Sequence, residues 1–407
     1  MEIKKFDYKG KLTEFYCYDM IPENGPFEAV FVLKHYLNLA NNFIEETYKI
    51  YKDKFPKLVK PKVYLCFYNE DFKDINAFTD GVDIYILVGL LFGMDKYINE
   101  RLSTMKSNGE SLLLKGYEDA SKALVYDYII ELVIAHELIH VWHRHKLWKK
   151  MNIKFNYNKC SITEIIEENS TISECNDDDI ENCVLLEIDN YFILENDMQY
   201  NLIQQVLELD SDCLGISLVV DKMLRKTQIE YNESVNYQKI EENKRYAALT
   251  FSRSQLIGYI TLAAGLMLGY FNNQYENNQF NSLNALYVTN HPINAIRFFL
   301  MEITIFQLIH NCFIQKETKE ILLKETKYYS VDTFSHKNGI RKIQHCFWAP
   351  VYTEIAQTHI IGLKKIWNQI QESLSKYSIF EIYDKFSESD MALVEEAVWF
   401  DNEGNRI

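Results

Sequence analysis

The sequence predicts an α+β fold, predominantly helical, with a small mixed sheet. Three observations lead there. The 407 residues include only 14 glycines and 6 prolines, too few chain-turning residues for a many-turned β protein. Long stretches repeat apolar residues at three- and four-residue intervals, the period of a helix with one buried face. Two short runs, KVYLCFY (Lys62–Tyr68) and VDIYILV (Val82–Val88), are rich in β-branched and aromatic residues and read as strands.

In chain order, residues 1–59 read as an N-terminal helical region, dominated by the helical spacing of Phe27–Tyr51. Residues 60–313 read as a central core. It opens with the two strands, and a helical pattern follows from about Glu118 to Lys150. An acidic insertion comes next, at about 160–200, since Cys160 through Asp221 contains no Lys or Arg. It reads either as a solvated excursion or as an acidic wall that selects basic substrates. Helical patterns resume over Tyr191–Val220, Ala247–Phe271 and Pro292–Phe313. Residues 314–407 form a C-terminal helical accessory region, with TEIAQTHIIGLKKIWNQIQESL as its clearest helix and no interpretable motif.

The formal charge of −15 argues against nucleic acid as a partner, because phosphate binding needs a basic surface. It leaves a protein or peptide substrate open. None of the eight cysteines forms a C-x-x-C pair, so buried, reduced thiols are expected rather than a disulfide framework. The charged MEIKKFDYKG start lacks the apolar stretch of a secretory signal, and a cytoplasmic protein is expected. Leu256–Phe271 is uncharged over sixteen residues, short of the roughly twenty that span a bilayer. A buried core helix is favoured there over membrane association.

One stretch concentrates chemistry. LVIAHELIHVWHRHKLW (Leu132–Trp148) holds four of the ten histidines, and it reads as a metal site or as a histidine-rich surface. His136-Glu137-x-x-His140 places two imidazoles four residues apart, on one face of a helix, where both reach one ion. Glu137 then projects beside the metal, placed to hold and deprotonate a water. Catalytic zinc needs a third protein ligand and an open position. A third histidine six residues after His140 is refused, because Lys146 stands there and His145 misses by one. The other scheme takes Glu208 from VLELDSDCLG as the ligand. Asp212, four residues on, then receives the second N–H of a ligand histidine, while Asp210 points elsewhere if the segment is helical. The bland alternative for this pair is a solvated acidic helix face.

Five pieces stand in one order: NAF (Asn76–Phe78), GLL (Gly89–Leu91), HELIHVWHRH (His136–His145), ELDSD (Glu208–Asp212) and HPINAIR (His291–Arg297). The set resembles the gluzincin zinc peptidases of the CAAX prenyl protease and HtpX heat-shock protease family, and more distantly the phage-exclusion Lit-type peptidases. It covers roughly residues 60–300. Ile139 departs from the family's glycine and Ser211 from its small apolar residue.

The resemblance implies a gluzincin-like core around an active-site helix carrying H-E-x-x-H. It also implies a soluble zinc-dependent endopeptidase with His136, His140 and Glu208 on Zn2+, Asp212 behind them and Glu137 as general base. His291 is the expected oxyanion donor, with Tyr287 and Arg297 as substitutes; the plain alternative for HP is a helix start. VDIYILV is the expected edge strand for an extended substrate, or else an interior strand. His143 and His145 are expected to orient acidic residues or to face solvent. The rival readings are a trigger-activated Lit-like effector and an inactive metal-binding interaction protein. An aminopeptidase is disfavoured, because FGMDKYIN lacks that branch's amine-holding G-x-M-E-N segment.

Overall fold

A computed structural model describes residues 1–8, 11–21, 30–67, 76–104, 106–107, 110–111, 113–155, 186–188, 191–194, 197–235, 242–274, 291–292, 294–313, 316–333 and 354–382. Over these residues the chain is mostly helical with a small mixed sheet, as its composition predicts.

The sheet begins earlier than expected. Residues assigned to an N-terminal helical region instead form a hairpin, β1 (Glu2–Tyr8) and β2 (Lys11–Tyr18). β2 pairs antiparallel with β3 (Val63–Phe67). β3 runs parallel to β5 (Ile84–Leu87), and β4 (Ala77–Thr79) pairs antiparallel with β5, so the order is β1-β2-β3-β5-β4. This places VDIYILV inside the sheet and makes β4, the NAF segment, the edge. The expectation of an edge at Val82–Val88 is corrected accordingly. A four-residue all-buried strand such as Ile84–Leu87 has both neighbours by necessity, since its flanks must be covered.

Side chains alternate across the sheet. Val63, Leu65, Ile84 and Ile86 face the main core, whereas Tyr64, Cys66, Tyr85 and Leu87 join Phe15 and Cys17 in a smaller cluster on the other face.

The main core is built on α3 (Glu118–Trp142). Its residues from Ile129 to Ala135 are all buried, the sequence of a helix surrounded on every side. α1 (Val30–Tyr51), α5 (Asp197–Val235) and α6 (Glu242–Gln274) pack round it. α2 (Val88–Thr104) follows β5 directly. α7 (Asn294–Cys312), α8 (Lys316–Thr333) and α9 (Glu354–Ser375) complete the helical layer, α9 against α5.

One apolar cluster runs from Leu33 through Leu322 to Trp367. It crosses both sequence-drawn boundaries, at 59/60 and 313/314. Within α6, Ala248–Phe271 is long and apolar enough to cross a membrane by composition, yet 83% of its apolar eighteen-residue window is buried inside the fold. Tyr191–Leu194, expected to begin a helix, is a strand, β8, paired with β6 (Ile153–Phe155) and β7 (Leu186–Ile188).

Two local features aim the site. Gly215 lies on the α5 stripe that also carries Glu208 and Asp212, at the i, i+4, i+7 spacing of one helix face. A Cβ there would meet the His136 nitrogen at 3.1 Å and the Ala135 carbonyl carbon at 3.3 Å. Glycine therefore lets α5 lie against the backbone of α3 where the first histidine emerges. The second feature is a break. The helical pattern expected through Lys150 stops at Trp142, and Arg144 sits at φ 53°, the left-handed region. A short helix, α4 (His145–Asn152), then restarts in a new direction.

Candidate metal centre

α3 and α5 supply the centre. His136 and His140, one turn apart on α3, present their Nε2 atoms 3.1 Å from each other. The Glu208 carboxylate of α5 faces both, with Oε2 3.2 Å from His136 Nε2 and Oε1 3.5 Å from His140 Nε2. Zinc bonds of 2.0–2.2 Å in a tetrahedron separate neighbouring ligand atoms by roughly 3.3–3.5 Å. The three spacings cluster around that range, so the residues present fit such an ion, and the three form a group able to hold one.

Electrostatics agree with this geometry. Burial disfavours a proton on His136, but its hydrogen bonds to Asp212 and Glu208 outweigh burial and raise its pKa to about 10. Burial likewise pushes the Glu208 carboxyl up, yet the His291 and His140 rings beside it hold it well below the usual carboxylate range. The pocket favours positive charge between these three groups.

His136 is braced from behind. Its Nδ1 lies 2.9 Å from Asp212 Oδ1, so Nδ1–H donates and Nε2 is the nitrogen turned toward the centre. Asp212 in turn accepts two bonds from Arg297 of α7, Nε to Oδ2 at 2.7 Å and Nη2 to Oδ1 at 2.8 Å. Burial opposes the charge on Asp212, but the guanidinium overcomes it and lowers the pKa to about 2. Arg297 is thereby committed to Asp212 and is no oxyanion donor, a correction to its expected substitute role. Its buried side chain points at the carboxylate and not at the open side of the centre.

Glu137 is 7% exposed, on the neighbouring face of α3. Burial raises its pKa, with His136 and His140 pulling the other way. His291, with a side chain 60% exposed, places Nδ1 3.3 Å from Glu208 Oε2. It therefore stands at the open rim. Tyr287 lies outside the described residues.

His140 is braced differently, and this arrangement was not foreseen. Its Nδ1 meets His145 Nδ1 at 2.8 Å. His145 Nε2 lies 3.0 Å from Asp210 Oδ2, the same oxygen contacts His143 Nδ1, and His143 Nε2 reaches the Glu381 carbonyl at 3.2 Å. His143 and Asp210 are 0% exposed and His145 2%, so neither histidine faces solvent. Asp210 does leave the Glu208 face, as its two-residue offset requires, but it turns into this cluster. The break at Arg144 makes the cluster: on a continuous helix, His145 would stand about 140° round from His140. A non-glycine residue in the left-handed region costs on the order of 1 kcal/mol.

Comparisons of the chain with protein-family models, with curated proteins and with solved structures find no match. The functional reading therefore rests on the residues themselves.

Proposed function

We propose that the chain is a zinc-dependent endopeptidase of gluzincin type that hydrolyses peptide bonds in a protein substrate. One observation carries the reading: His136, His140 and Glu208 converge at tetrahedral spacing with Glu137 on the adjacent face of the same helix. Zinc bound there supplies Lewis acidity, lowering the pKa of a coordinated water to about 7.

The chain's own groups account for the proton transfers. Glu137 accepts the proton of the attacking water and passes it to the leaving nitrogen, and burial has moved its carboxyl upward, toward the range where both transfers are easy. Asp212 and Arg297 hold His136 with its Nε2 lone pair inward. His291, exposed at the rim, is placed to donate to the substrate's carbonyl oxygen as negative charge develops there. Its Glu208 contact positions it. β4, at the edge of the five-stranded sheet and packed on α3, offers backbone groups for an extended substrate to pair with.

An inactive binding protein built on this fold would have no use for a buried Glu137 beside two histidines, where burial alone makes its charge costly. The test is zinc content together with cleavage. Wild-type protein should carry about one zinc per chain. Glu137→Gln should keep the zinc and lose cleavage when proteome-wide fragments are compared with wild type, whereas Glu208→Ala should lose the zinc. Full zinc occupancy in Glu208→Ala would remove the third ligand. Identical fragment patterns from wild type and Glu137→Gln would remove the hydrolase.

A further inference from the structure

We propose that His145, Asp210 and His143 form a tautomer lock that keeps hydrogen on His140 Nδ1 and leaves His140 Nε2 bare toward Glu208 and His136. The inference rests on the metal-centre reading above and adds positioning residues to it.

The assignment follows from matching donors to acceptors. The Glu381 carbonyl can only accept, so His143 Nε2 carries hydrogen. His143 Nδ1 and Asp210 Oδ2 then share one proton across their short contact. The same Oδ2 accepts from His145 Nε2–H. The His145 ring is thus neutral with a bare Nδ1, and among the described residues the group facing that nitrogen is His140 Nδ1, which must donate. A second proton on His145 would leave a cluster sealed from solvent with net positive charge, which is strongly unfavourable.

Running the chain in reverse fails on charge. It needs a proton on Asp210 directed at His145 while His143 still donates from both nitrogens, leaving a buried imidazolium with no counter-ion among the described residues. Such burial is strongly unfavourable.

His143, His145 and Asp210 also have the composition of a second metal group. In this group His143 Nδ1 and Asp210 Oδ2 face each other directly as hydrogen-bond partners, and all three side chains are sealed from solvent. A proton between them accounts for that pairing without an ion. The two ligand histidines of one motif are consequently fixed by unrelated devices, one carboxylate–arginine and one histidine–carboxylate–histidine.

The decisive measurement is the His140 tautomer in metal-free, full-length protein labelled with 15N-histidine, read from two-bond 15N–1H correlations. The wild type should show hydrogen on Nδ1 of His140. Asp210→Asn offers an N–H where the carboxylate only accepted, so His140 should shift toward the Nε2–H form. Zinc affinity, measured by chelator competition, should fall about 10–100-fold, the effect of losing an orienting partner behind a ligand. A packing defect alone would leave the tautomer unchanged.

Hydrogen on His140 Nε2 in the wild type would overturn the lock. So would wild-type zinc affinity in a folded Asp210→Asn, or two zinc ions per chain with the second lost on that substitution. If Asp210→Asn does not fold, the wild-type tautomer decides alone. The lock and the hydrolase fail separately. A correct tautomer in a protein that cleaves nothing removes only the hydrolase, and a wrong tautomer in an active protease removes only the lock.

Discussion

His136 and His140 sit one turn apart on the same helix and face the same carboxylate, yet the groups that brace them from behind are of different kinds. Behind His136 stands a complete ion pair, Asp212 with Arg297, drawn from α5 and α7. Behind His140 stands a chain of neutral and proton-sharing groups from the α3–α4 junction, from α5 and from the segment after α9. The contrast shows that orienting an imidazole needs only a committed acceptor at its rear nitrogen. A full charge pair is one way to provide that acceptor, and a neutral ring whose own donor is already spoken for is another.

The ion-pair side should carry the larger share of stability. Arg297→Met leaves Asp212, 1% exposed in its side chain, as a charge whose main partner is gone. Breaking a buried pair in this way costs about 3–5 kcal/mol, measurable by urea unfolding, and it should also weaken zinc binding. A loss under about 1 kcal/mol would mean that water or His136 alone satisfies Asp212, and that the two regions are energetically alike.

A change that touches both regions equally comes next in size. Gly215 sets the separation of α5 from α3, and α5 carries Glu208, Asp210 and Asp212 together. Gly215→Ala gains roughly 1 kcal/mol in helix propensity and loses about 1–3 kcal/mol to crowding against the His136 backbone. A net loss of up to about 2 kcal/mol remains, with weaker zinc binding although no ligand has been removed. Unchanged affinity would show that the centre tolerates movement of α5.

Much of this centre is legible in the sequence because helices convert spacing into direction. His136, Glu137 and His140 follow from the four-residue period of α3, and Glu208 with Asp212 from the same period on α5. The His145 arm is not legible, since it depends on Arg144 adopting a left-handed conformation that no glycine or asparagine signals. The Glu381 carbonyl lies 238 residues from His143, and a backbone acceptor has no sequence signature at all. β2 was readable, since Phe15 and Cys17 alternate with exposed residues. The helical spacing that begins at Phe27 is longer and stronger than the two-residue period of β2. β4 has three residues, too few to show a period, so its neighbour β5 carries the stronger strand signal.

A buried histidine on α9 sharpens the contrast, because its hydrogen bond runs to an amide. His359 on α9 donates from Nε2 to Gln205 Oε1 at 2.8 Å and is 0% exposed. Burial lowers its pKa to about 3, whereas His136, nearly as enclosed but facing two carboxylates, is raised. Above the ordinary value of 6.5 the His359 ring is neutral in folded and unfolded chains, so its full contribution is present there. Between 6.5 and about 3 the unfolded chain binds a proton that the folded one refuses, and stability drains away as the pH falls. Near pH 5.5 the loss is about 1 kcal/mol by this linkage, the smallest of these effects. His359→Gln should melt with a shallower fall in Tm between pH 7.5 and 5.5 than the wild type, whatever its starting Tm. Equal slopes would mean that His359 takes up its proton while folded, and that an amide partner can stand in for a carboxylate after all.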